Sequence, residues 1–411
     1  MKKTILIVLF GFTVLGLLQG QQQTGDGGYV IGGTSESYVT GYTDYPDAIV
    51  YKLDGSGDVD WTDHQGGVLW DSASEVIQTA DGGYLVVGAS DSFSYPEDHL
   101  LVYKLDAGGH LEWRKDYGEA GQWTAGFSCR QTADGGYIVL ANVLTPHPLR
   151  LSKTNGIIIM GDDDIALYKL SVDGDLEWRR IYGGDSIDYG SQISLTPDGG
   201  YILVGNSATY THGVFDILVY KLDADGQKQW RKNYGGANMD FGISVAPTPD
   251  GGYILGGDTY SYGVGMSDLL LYKVDAAGNK QWRKTYGSTG YDFGAYVRPT
   301  GDGGYIVCGD SDSFSGSPMN RDILVYKVDA GGQKQWRKTY GGSWNEYAAA
   351  VFQTTDGGYL IFGGTSSYVH GVPGMDMDFV VYKVDAGGQK QWRKNYGGTG
   401  HEFAGLRIAV A

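Results

Sequence analysis

Residues 240–286 read DFGISVAPTPDGGYILGGDTYSYGVGMSDLLLYKVDAAGNKQWRKTY, and this stretch decides the fold. Short runs rich in β-branched and aromatic residues alternate with turns that contain glycine, and no helical periodicity is present. The Asp-Gly-Gly turn at 250–252 and the Asp-Ala-Ala-Gly turn at 275–278 suit tight hairpins. The stretch therefore predicts four short antiparallel strands, at 240–245, 253–257, 269–274 and 280–286.

Three markers recur along the chain in one order, and each occurs seven times. The motif Asp-Gly-Gly-Tyr begins at residues 26, 81, 134, 198, 250, 302 and 356. A Tyr-Lys pair begins at 51, 103, 168, 220, 272, 326 and 382, and a Trp follows at 61, 113, 178, 230, 282, 336 and 392. A period of about 53 residues with four strands per unit is typical of a propeller, in which each sheet covers its neighbours. The sequence therefore predicts an all-β, seven-bladed β-propeller with four antiparallel strands per blade.

The two ends of the chain predict how the ring closes. The first Asp-Gly-Gly-Tyr motif belongs to the second strand of a unit, so the N-terminal unit lacks its first strand. Residues 401–411, HEFAGLRIAVA, match the first strand of a unit. We therefore expect the C-terminal strand to complete the N-terminal blade.

Residues 1–20 have the layout of a secretory signal peptide. Lys2 and Lys3 precede an uncharged apolar run, 5–18, which is short for a membrane span. We expect residues 21–411 to form one propeller domain that is secreted, extracellular or periplasmic, without a transmembrane segment. The formal net charge of −17 disfavours binding to nucleic acid.

Residues 220–230, Tyr-Lys-Leu-Asp-Ala-Asp-Gly-Gln-Lys-Gln-Trp, resemble the quinoprotein-like propeller repeat, which also occurs in outer-membrane assembly lipoproteins. The resemblance implies that the Trp docks one blade on the next, so the seven Trp residues of the repeat are expected to be docking residues. The fuller pattern with Asp-Gly-Gly-Tyr is similar to repeats of uncharacterised secreted bacterial and archaeal proteins, and it implies no activity. Quinone-dependent dehydrogenases usually have eight blades and a vicinal cysteine pair, whereas this chain has neither, so no quinone cofactor is expected.

An acidic residue precedes most of the predicted first strands. Two interpretations stay open: these side chains ring the mouth of the central channel and hold Ca²⁺, or they stabilise turns. The residues are Asp71, Asp188, Asp240, Asp292, Glu346 and Glu402. Most polar positions of the chain repeat seven times, and the chain lacks Gly-x-Ser-x-Gly, His-Glu-x-x-His and phosphate-loop motifs. We therefore predict no catalytic residues, and no cofactor apart from the calcium alternative.

The loop after the second strand and the crossover from the fourth strand lie on the same face of a propeller, which we call the long-loop face. The other face carries only tight turns, so we expect the long-loop face to be the working surface. Six residues on adjacent blades of this face are predicted to bind a ligand, because exposed rings suit sugars or proteins. They are Trp70, Trp123, Trp344, His401, Tyr42 and Tyr95. The competing interpretation is that these rings pack between loops.

These observations favour an exported, non-catalytic binding or scaffold protein that recognises a polysaccharide or an extracellular protein. Either a monomer or a self-assembling subunit is compatible with the sequence. One alternative is a structural subunit of an extracellular surface layer or filament, suggested by the identical hexapeptides Gln-Lys-Gln-Trp-Arg-Lys at 227, 333 and 389. The other is a polysaccharide-active enzyme, such as a lyase or hydrolase.

Overall fold

The computed structural model of the protein describes residues 22–37, 45–93, 99–145, 150–151, 158–159, 162–315 and 320–403. All regular secondary structure in these ranges is β-strand, and the strands form seven separate antiparallel sheets, with one small extra hairpin. The prediction of an all-β, seven-bladed β-propeller with four antiparallel strands per blade is therefore confirmed.

The blades are numbered along the chain, and each blade lists its strands from first to fourth. Blade 1 has Tyr29–Ser35, Asp47–Leu53 and Val59–Gln65 as its second, third and fourth strands. The other blades are Asp71–Gln78, Tyr84–Ser90, His99–Leu105 and Leu111–Tyr117 (blade 2); Trp123–Gln131, Tyr137–Thr145, Asp162–Leu170 and Leu176–Tyr182 (blade 3); Asp188–Leu195, Tyr201–Ser207, Asp216–Leu222 and Lys228–Tyr234 (blade 4); Asp240–Pro247, Tyr253–Thr259, Asp268–Val274 and Lys280–Tyr286 (blade 5); Asp292–Pro299, Tyr305–Ser311, Asp322–Val328 and Lys334–Tyr340 (blade 6); Glu346–Gln353, Tyr359–Thr365, Asp378–Val384 and Lys390–Tyr396 (blade 7). The extra hairpin, Arg150–Leu151 with Ile158–Ile159, lies in the long insertion of blade 3.

The core of the protein lies between blades rather than within them. Ile202 and Val204 of blade 4, for example, share one buried cluster with Leu270 and Tyr272 of blade 5. A four-stranded sheet has two apolar faces, and stacking the sheets around a ring buries both of them. This arrangement explains why the second and third strands of blade 5 are buried at every position instead of alternating between buried and exposed residues.

The Asp of each Asp-Gly-Gly-Tyr motif and the Lys of each Tyr-Lys pair are partners in the same blade. Lys221 Nζ lies 2.8 Å from Asp198 Oδ2, and Lys383 Nζ lies 2.8 Å from Asp356 Oδ2. The Lys221 side chain is only 4% exposed, and its ammonium also donates to the carbonyl of Leu222. Two of the three sequence markers are therefore the two halves of one ion pair, which fastens the first hairpin to the third strand.

The third marker, the Trp of the fourth strand, docks each blade on the next one. The indole of Trp230 in blade 4 covers Gly278, in the tight turn of blade 5, where φ is +75°. Its Nε1 donates to the carbonyl of Ala276 (3.2 Å), and the hydroxyl of Tyr234 donates to the carbonyl of Gly278 (2.6 Å). The same Trp–Gly contact occurs at all seven junctions: Trp61–Gly109, Trp113–Gly174, Trp178–Gly226, Trp230–Gly278, Trp282–Gly332, Trp336–Gly388 and Trp392–Gly57.

Both chain ends contribute to the innermost position of blade 1. Glu402–Phe403 pairs with the C-terminal end of the strand Tyr29–Ser35, as the prediction of a C-terminal closing strand requires. In addition, Gln22–Gln23 pairs with the other end of the same strand. Residues 404–411, which the prediction also placed in the closing strand, lie outside the described residues.

Candidate functional site

The long-loop face carries all the connections that differ between blades. The tight turns, such as 248–252 and 275–278, lie on the opposite face and repeat almost unchanged. On the long-loop face the connections after the second strands differ in length and sequence, for instance 260–267 in blade 5 and 366–377 in blade 7. Variable connections on a rigid ring are where a propeller presents binding residues.

Trp344 and His401 contact the same loop of blade 7. The Trp344 indole lies over Gly374, because a Cβ on that glycine would be 2.7 Å from Trp344 Cδ2. His401 Nε2 lies 4.0 Å from Asp376 Oδ1, in the same loop. The structure thus brings two of the predicted residues to one place, although they are 57 positions apart in the sequence (401 minus 344).

An exposed apolar group surrounds Trp344. The Trp344 side chain is 46% exposed, and its neighbours in the loop, Val372 and Met375, are 55% and 73% exposed. Loop 366–377 is held in place by backbone hydrogen bonds from Gly374 to Ser366 and from Met375 to Val372. We call Trp344, Val372 and Met375 the blade-7 patch.

Trp70 and Trp123 do not join the blade-7 patch. Trp70 is half-buried and its carbonyl accepts a hydrogen bond from the backbone of Asp91 (2.9 Å). Trp123 is also half-buried and begins the first strand of blade 3, where it pairs with Leu144. Tyr42 and Tyr95, the two remaining predicted residues, lie outside the described residues.

Aromatic residues of the long loops pack beneath arginines of the fourth strands. Arg231 lies 3.4 Å from the ring centre of Tyr210, and Arg393 lies 3.3 Å from that of Tyr368. The Tyr368 hydroxyl also donates to the carbonyl of Gly341 (2.9 Å). These rings anchor the long loops. The Arg of the Trp-Arg-Lys run stacks on the ring and thereby holds the loop, so it is not simply a solvent-exposed charge of the outer strand.

A second aromatic group, which sequence reasoning missed, lies at the inner rim of the same face. Tyr189, Phe215, Phe241, Tyr260 and Phe293 form a continuous series across blades 4 to 6, with ring centres 6.0 to 6.4 Å apart. A signal for it exists in the sequence, because an aromatic residue follows the acid of the first strand in five blades. These are Tyr189, Phe241, Phe293, Tyr347 and Phe403.

Two buried aspartates lie beside this aromatic series. Burial raises the pKa of Asp258 and of Asp310 to about 7. Arg321 Nη1 lies 3.4 Å from Asp310 Oδ2, and its guanidinium is 4.6 Å from the ring centre of Phe293. The arginine connects this carboxylate to the aromatic series.

Side chains of the first strands fill the centre of the ring. Phe127 of blade 3 packs against the cluster of blades 6 and 7 as well as against that of blades 3 and 4. Arg298 Nη1 reaches Gln192 Oε1, two blades away, at 3.4 Å. Arg130 Nη1 is 2.8 Å from the buried carboxylate of Glu75. A ligand on the long-loop face would therefore meet a floor of packed side chains at the centre.

The acids that precede the first strands are buried at the junctions between blades. Each lies next to the residue that starts the third strand of the preceding blade. Their residue exposure is 0% in all six cases: Asp71, Asp188, Asp240, Asp292, Glu346 and Glu402. Burial raises the pKa of Glu402 to about 7. In the described part of the chain no group of three or more His, Cys, Asp or Glu side chains is arranged as a metal site.

Comparison with protein families finds one match. A family model described as outer membrane protein assembly factor BamB matches residues 46–312, more than half of the chain. No curated protein sequence matches. The described part of the chain contains no apolar helix of membrane-spanning length.

Solved structures show the same fold at low sequence identity. A puromycin hydrolase superposes with a TM-score of 0.53 at 12% identity, covering 90% of this chain and 53% of the hydrolase, so the chain spans about half the length of that protein. The Pan2 WD40 domain of Neurospora crassa gives 0.50 at 9% identity, covering 84% and 86%.

Proposed function

Because this chain belongs to the family described as outer membrane protein assembly factor BamB, we propose that it is a non-catalytic binding scaffold whose long-loop face holds a protein partner. The proposal includes export through the signal peptide expected at residues 1–20. The family description concerns a factor that assembles proteins, which favours a protein over other classes of partner.

The observation that carries the proposal is the blade-7 patch. Trp344, Val372 and Met375 expose large apolar side chains together, on a loop fixed by its own backbone hydrogen bonds. Contiguous apolar surface of this kind marks interaction sites, and Trp and Met are the side chains best suited to the centre of an interface. Blade 3 also exposes apolar residues in and beside its tight turn, Val172 and Leu176, but neither is a Trp or a Met.

A polysaccharide is the second candidate partner, and one observation favours it. Next to the exposed indole of Trp344 stand His401 and Asp376, which supply polar groups beside an aromatic ring. Sugars bind to such combinations through ring stacking and hydrogen bonds. One observation disfavours a polysaccharide partner: two of the three large side chains of the patch, Val372 and Met375, are aliphatic and offer no flat surface for a sugar.

A binding assay with three purified proteins tests the proposal. They are the parent protein, the double variant Trp344→Ala with Met375→Ser, and the control variant Leu111→Ala, which changes an exposed residue outside the long-loop face. Each is applied to a glycan array and to immobilised envelope proteins from the producing cell. We expect the parent and the control to bind the same envelope protein, with the double variant weakened at least tenfold. Binding to a glycan alone, lost in the double variant, would support the second candidate. Equal binding by all three proteins would contradict both.

A further inference from the structure

Two buried carboxylates face each other at the junction of blades 4 and 5. Asp216 starts the third strand of blade 4, and Asp240 starts the first strand of blade 5. The amide of Asp240 donates to the carbonyl of Phe215 (2.9 Å), so the backbone itself holds the two residues side by side. Both have a residue exposure of 0%.

The glycine between them shows how closely the carboxylates approach. A Cβ on Gly235 would lie 2.1 Å from Asp216 Oδ1 and 3.0 Å from Asp240 Oδ2. The two oxygens therefore border the same small space, from which the glycine keeps any side chain away. The position requires glycine because of this approach.

The hydrogen bonds leave one oxygen of the pair unused. Asp216 Oδ2 accepts from the amide of His212 (2.7 Å) and contacts His212 Nδ1 at 2.9 Å. Asp240 Oδ2 accepts from the amide of Gly236 and the hydroxyl of Ser261. Among the described residues, Asp216 Oδ1 accepts no hydrogen bond, and it borders the same space as Asp240 Oδ2. A buried carboxylate oxygen facing a second carboxylate is strongly unfavourable unless a positive species lies between them.

The same arrangement repeats around the ring. At the junction of blades 5 and 6, a Cβ on Gly287 would lie 1.9 Å from Asp268 Oδ1 and 2.6 Å from Asp292 Oδ2. Asp268 Oδ1 likewise accepts no hydrogen bond from the described residues. At the junction of blades 7 and 1, a Cβ on Gly397 would lie 2.6 Å from Asp378 Oδ1 and 2.5 Å from Glu402 Oε2. We call each such couple an acid pair. Four couples border a glycine Cβ position in this way: Asp216–Asp240, Asp268–Asp292, Asp322–Glu346 and Asp378–Glu402. Asp47–Asp71 and Asp164–Asp188 occupy the equivalent positions of the repeat, so we count six acid pairs.

The junction of blades 2 and 3 differs at both of these positions. His99 starts the third strand of blade 2, and its ring lies against Gly118 where a carboxylate stands elsewhere. Thr124 takes the place of the second acid in blade 3. At the two described positions of this junction neither residue is an acid, whereas both equivalent residues are acids at the other six junctions, so the two carboxylates occur together.

We propose that the acid pairs are calcium sites, with one Ca²⁺ bound between neighbouring blades at each pair. All the candidate ligands are oxygens, which hard divalent cations prefer over the nitrogen and sulfur ligands of transition metals. Two carboxylates balance the charge of one Ca²⁺, and waters complete its coordination, because each pair supplies at most four side-chain oxygens. The ion would join adjacent blades on the long-loop side, opposite the Trp–Gly contacts.

This proposal does not depend on the proposed partner, and calcium titration of the whole protein tests it. Protein freed of divalent ions with EGTA is titrated with CaCl₂ in a calorimeter, and its thermal midpoint is followed at pH 7. We expect several equivalents of Ca²⁺ per chain, with Kd in the range of about 10⁻⁴–10⁻³ M typical of extracellular modules, and a midpoint that rises with calcium concentration. Titration with MgCl₂ should give a smaller rise.

Variants assign the binding to the acid pairs. Asp216→Asn with Asp240→Asn should remove one equivalent, whereas Asp198→Asn, which alters an acid paired with Lys221 instead, should remove none. If the first variant does not fold, the gain-of-site variant His99→Asp with Thr124→Asp should add one equivalent. A parent protein that shows neither calcium heat nor a calcium-dependent midpoint overturns the proposal. A midpoint that rises only on acidification would also overturn it, because a proton shared by the two carboxyl groups would then be the occupant.

Discussion

The indole of Trp230 lies directly on Gly278 of the next blade: a Cβ on that glycine would be 3.0 Å from Trp230 Cη2. The contact joins the fourth strand of one blade to the tight turn of its neighbour, and it recurs at every junction. The seven Trp residues of the repeat therefore contribute to stability, whereas Trp344 is available for binding.

Replacing Trp230 by Ala should lower the free energy of unfolding by about 3 kcal/mol, the low end of the range for a large buried ring, because part of the indole is exposed. Trp344→Ala should cost less than about 1 kcal/mol, as expected for a surface position. Urea denaturation of the two variants measures both values. Equal losses would show that Trp344 has a structural role as large as that of the docking residues.

Replacing Gly278 by Ala should destabilise the protein for two reasons: φ is +75°, and the new methyl group would press on Trp230. Gly251→Ala is the matched control, since φ there is +82° and a Cβ would meet no atom within 4 Å. The control should cost about 1–2 kcal/mol from the backbone alone, and Gly278→Ala should cost more. In a Trp230→Ala background the difference between the two glycine variants should become smaller, although Lys232 Cγ, 2.9 Å from the new Cβ position, would remain. An unchanged difference would show that the ring contact is not its cause.

The stability of the protein should fall steeply below pH 4 because of the Asp–Lys pairs. The hydrogen bond from Lys383 lowers the pKa of Asp356 from 3.8 to about 2. As the pH falls, the Asp356 carboxylate is therefore protonated in the unfolded chain before it is protonated in the folded protein. The contribution of this ion pair to the free energy of unfolding is present above pH 4 and is lost as the pH falls through 2. Asp356→Asn should flatten the decline of the urea midpoint between pH 4 and pH 2. Asp173→Asn, at an exposed turn residue, should leave the slope unchanged; equal slopes for the parent and both variants would contradict the assignment.

Removing residues 401–411 should reduce the cooperativity of unfolding, because Glu402 and Phe403 join blade 7 to blade 1. Glu402 donates its amide to the carbonyl of Met377 (2.7 Å) in blade 7, and its carboxylate accepts from the hydroxyl of Ser35 (3.1 Å) in blade 1. Without them, blades 7 and 1 would expose their facing apolar surfaces. Calorimetry of the truncated chain should show a broadened, lower transition, and a transition like that of the full chain would disprove the closure role.

The repeats made the fold predictable, because every marker has the same neighbour in every blade. For blade 5 the predicted strands agree with the observed ones to within two residues at each end, and the fourth strand, 280–286, has the predicted bounds. The first strand runs on to Pro247 because it contains an irregular pairing between Gly242 and Ser244, which adds a residue that a periodic pattern does not reveal. The C-terminal closure could also be predicted from the sequence, because Glu402 occupies the position in the repeat that Asp71 occupies in blade 2.

The site was less predictable, because it depends on contacts between blades. Sequence position alone could not show that Asp216 and Asp240, in different units, meet beside Gly235. It also could not show that Trp344 and His401 reach the same loop while Trp70 lies elsewhere. The assignment of Trp70, Trp123, Tyr42 and Tyr95 to a binding arc stays a prediction.

Photocrosslinking on the two faces of the disc tests the central claim, that the long-loop face is the binding surface, most directly. A photoreactive phenylalanine analogue is placed at Met375, which is 73% exposed, or at Val172 on the tight-turn face, which is 53% exposed. Both proteins are irradiated in the producing cell and their adducts are identified by mass spectrometry. The account predicts one discrete protein adduct from position 375 and none from position 172. Adducts from position 172 alone, or the same adducts from both positions, would contradict it.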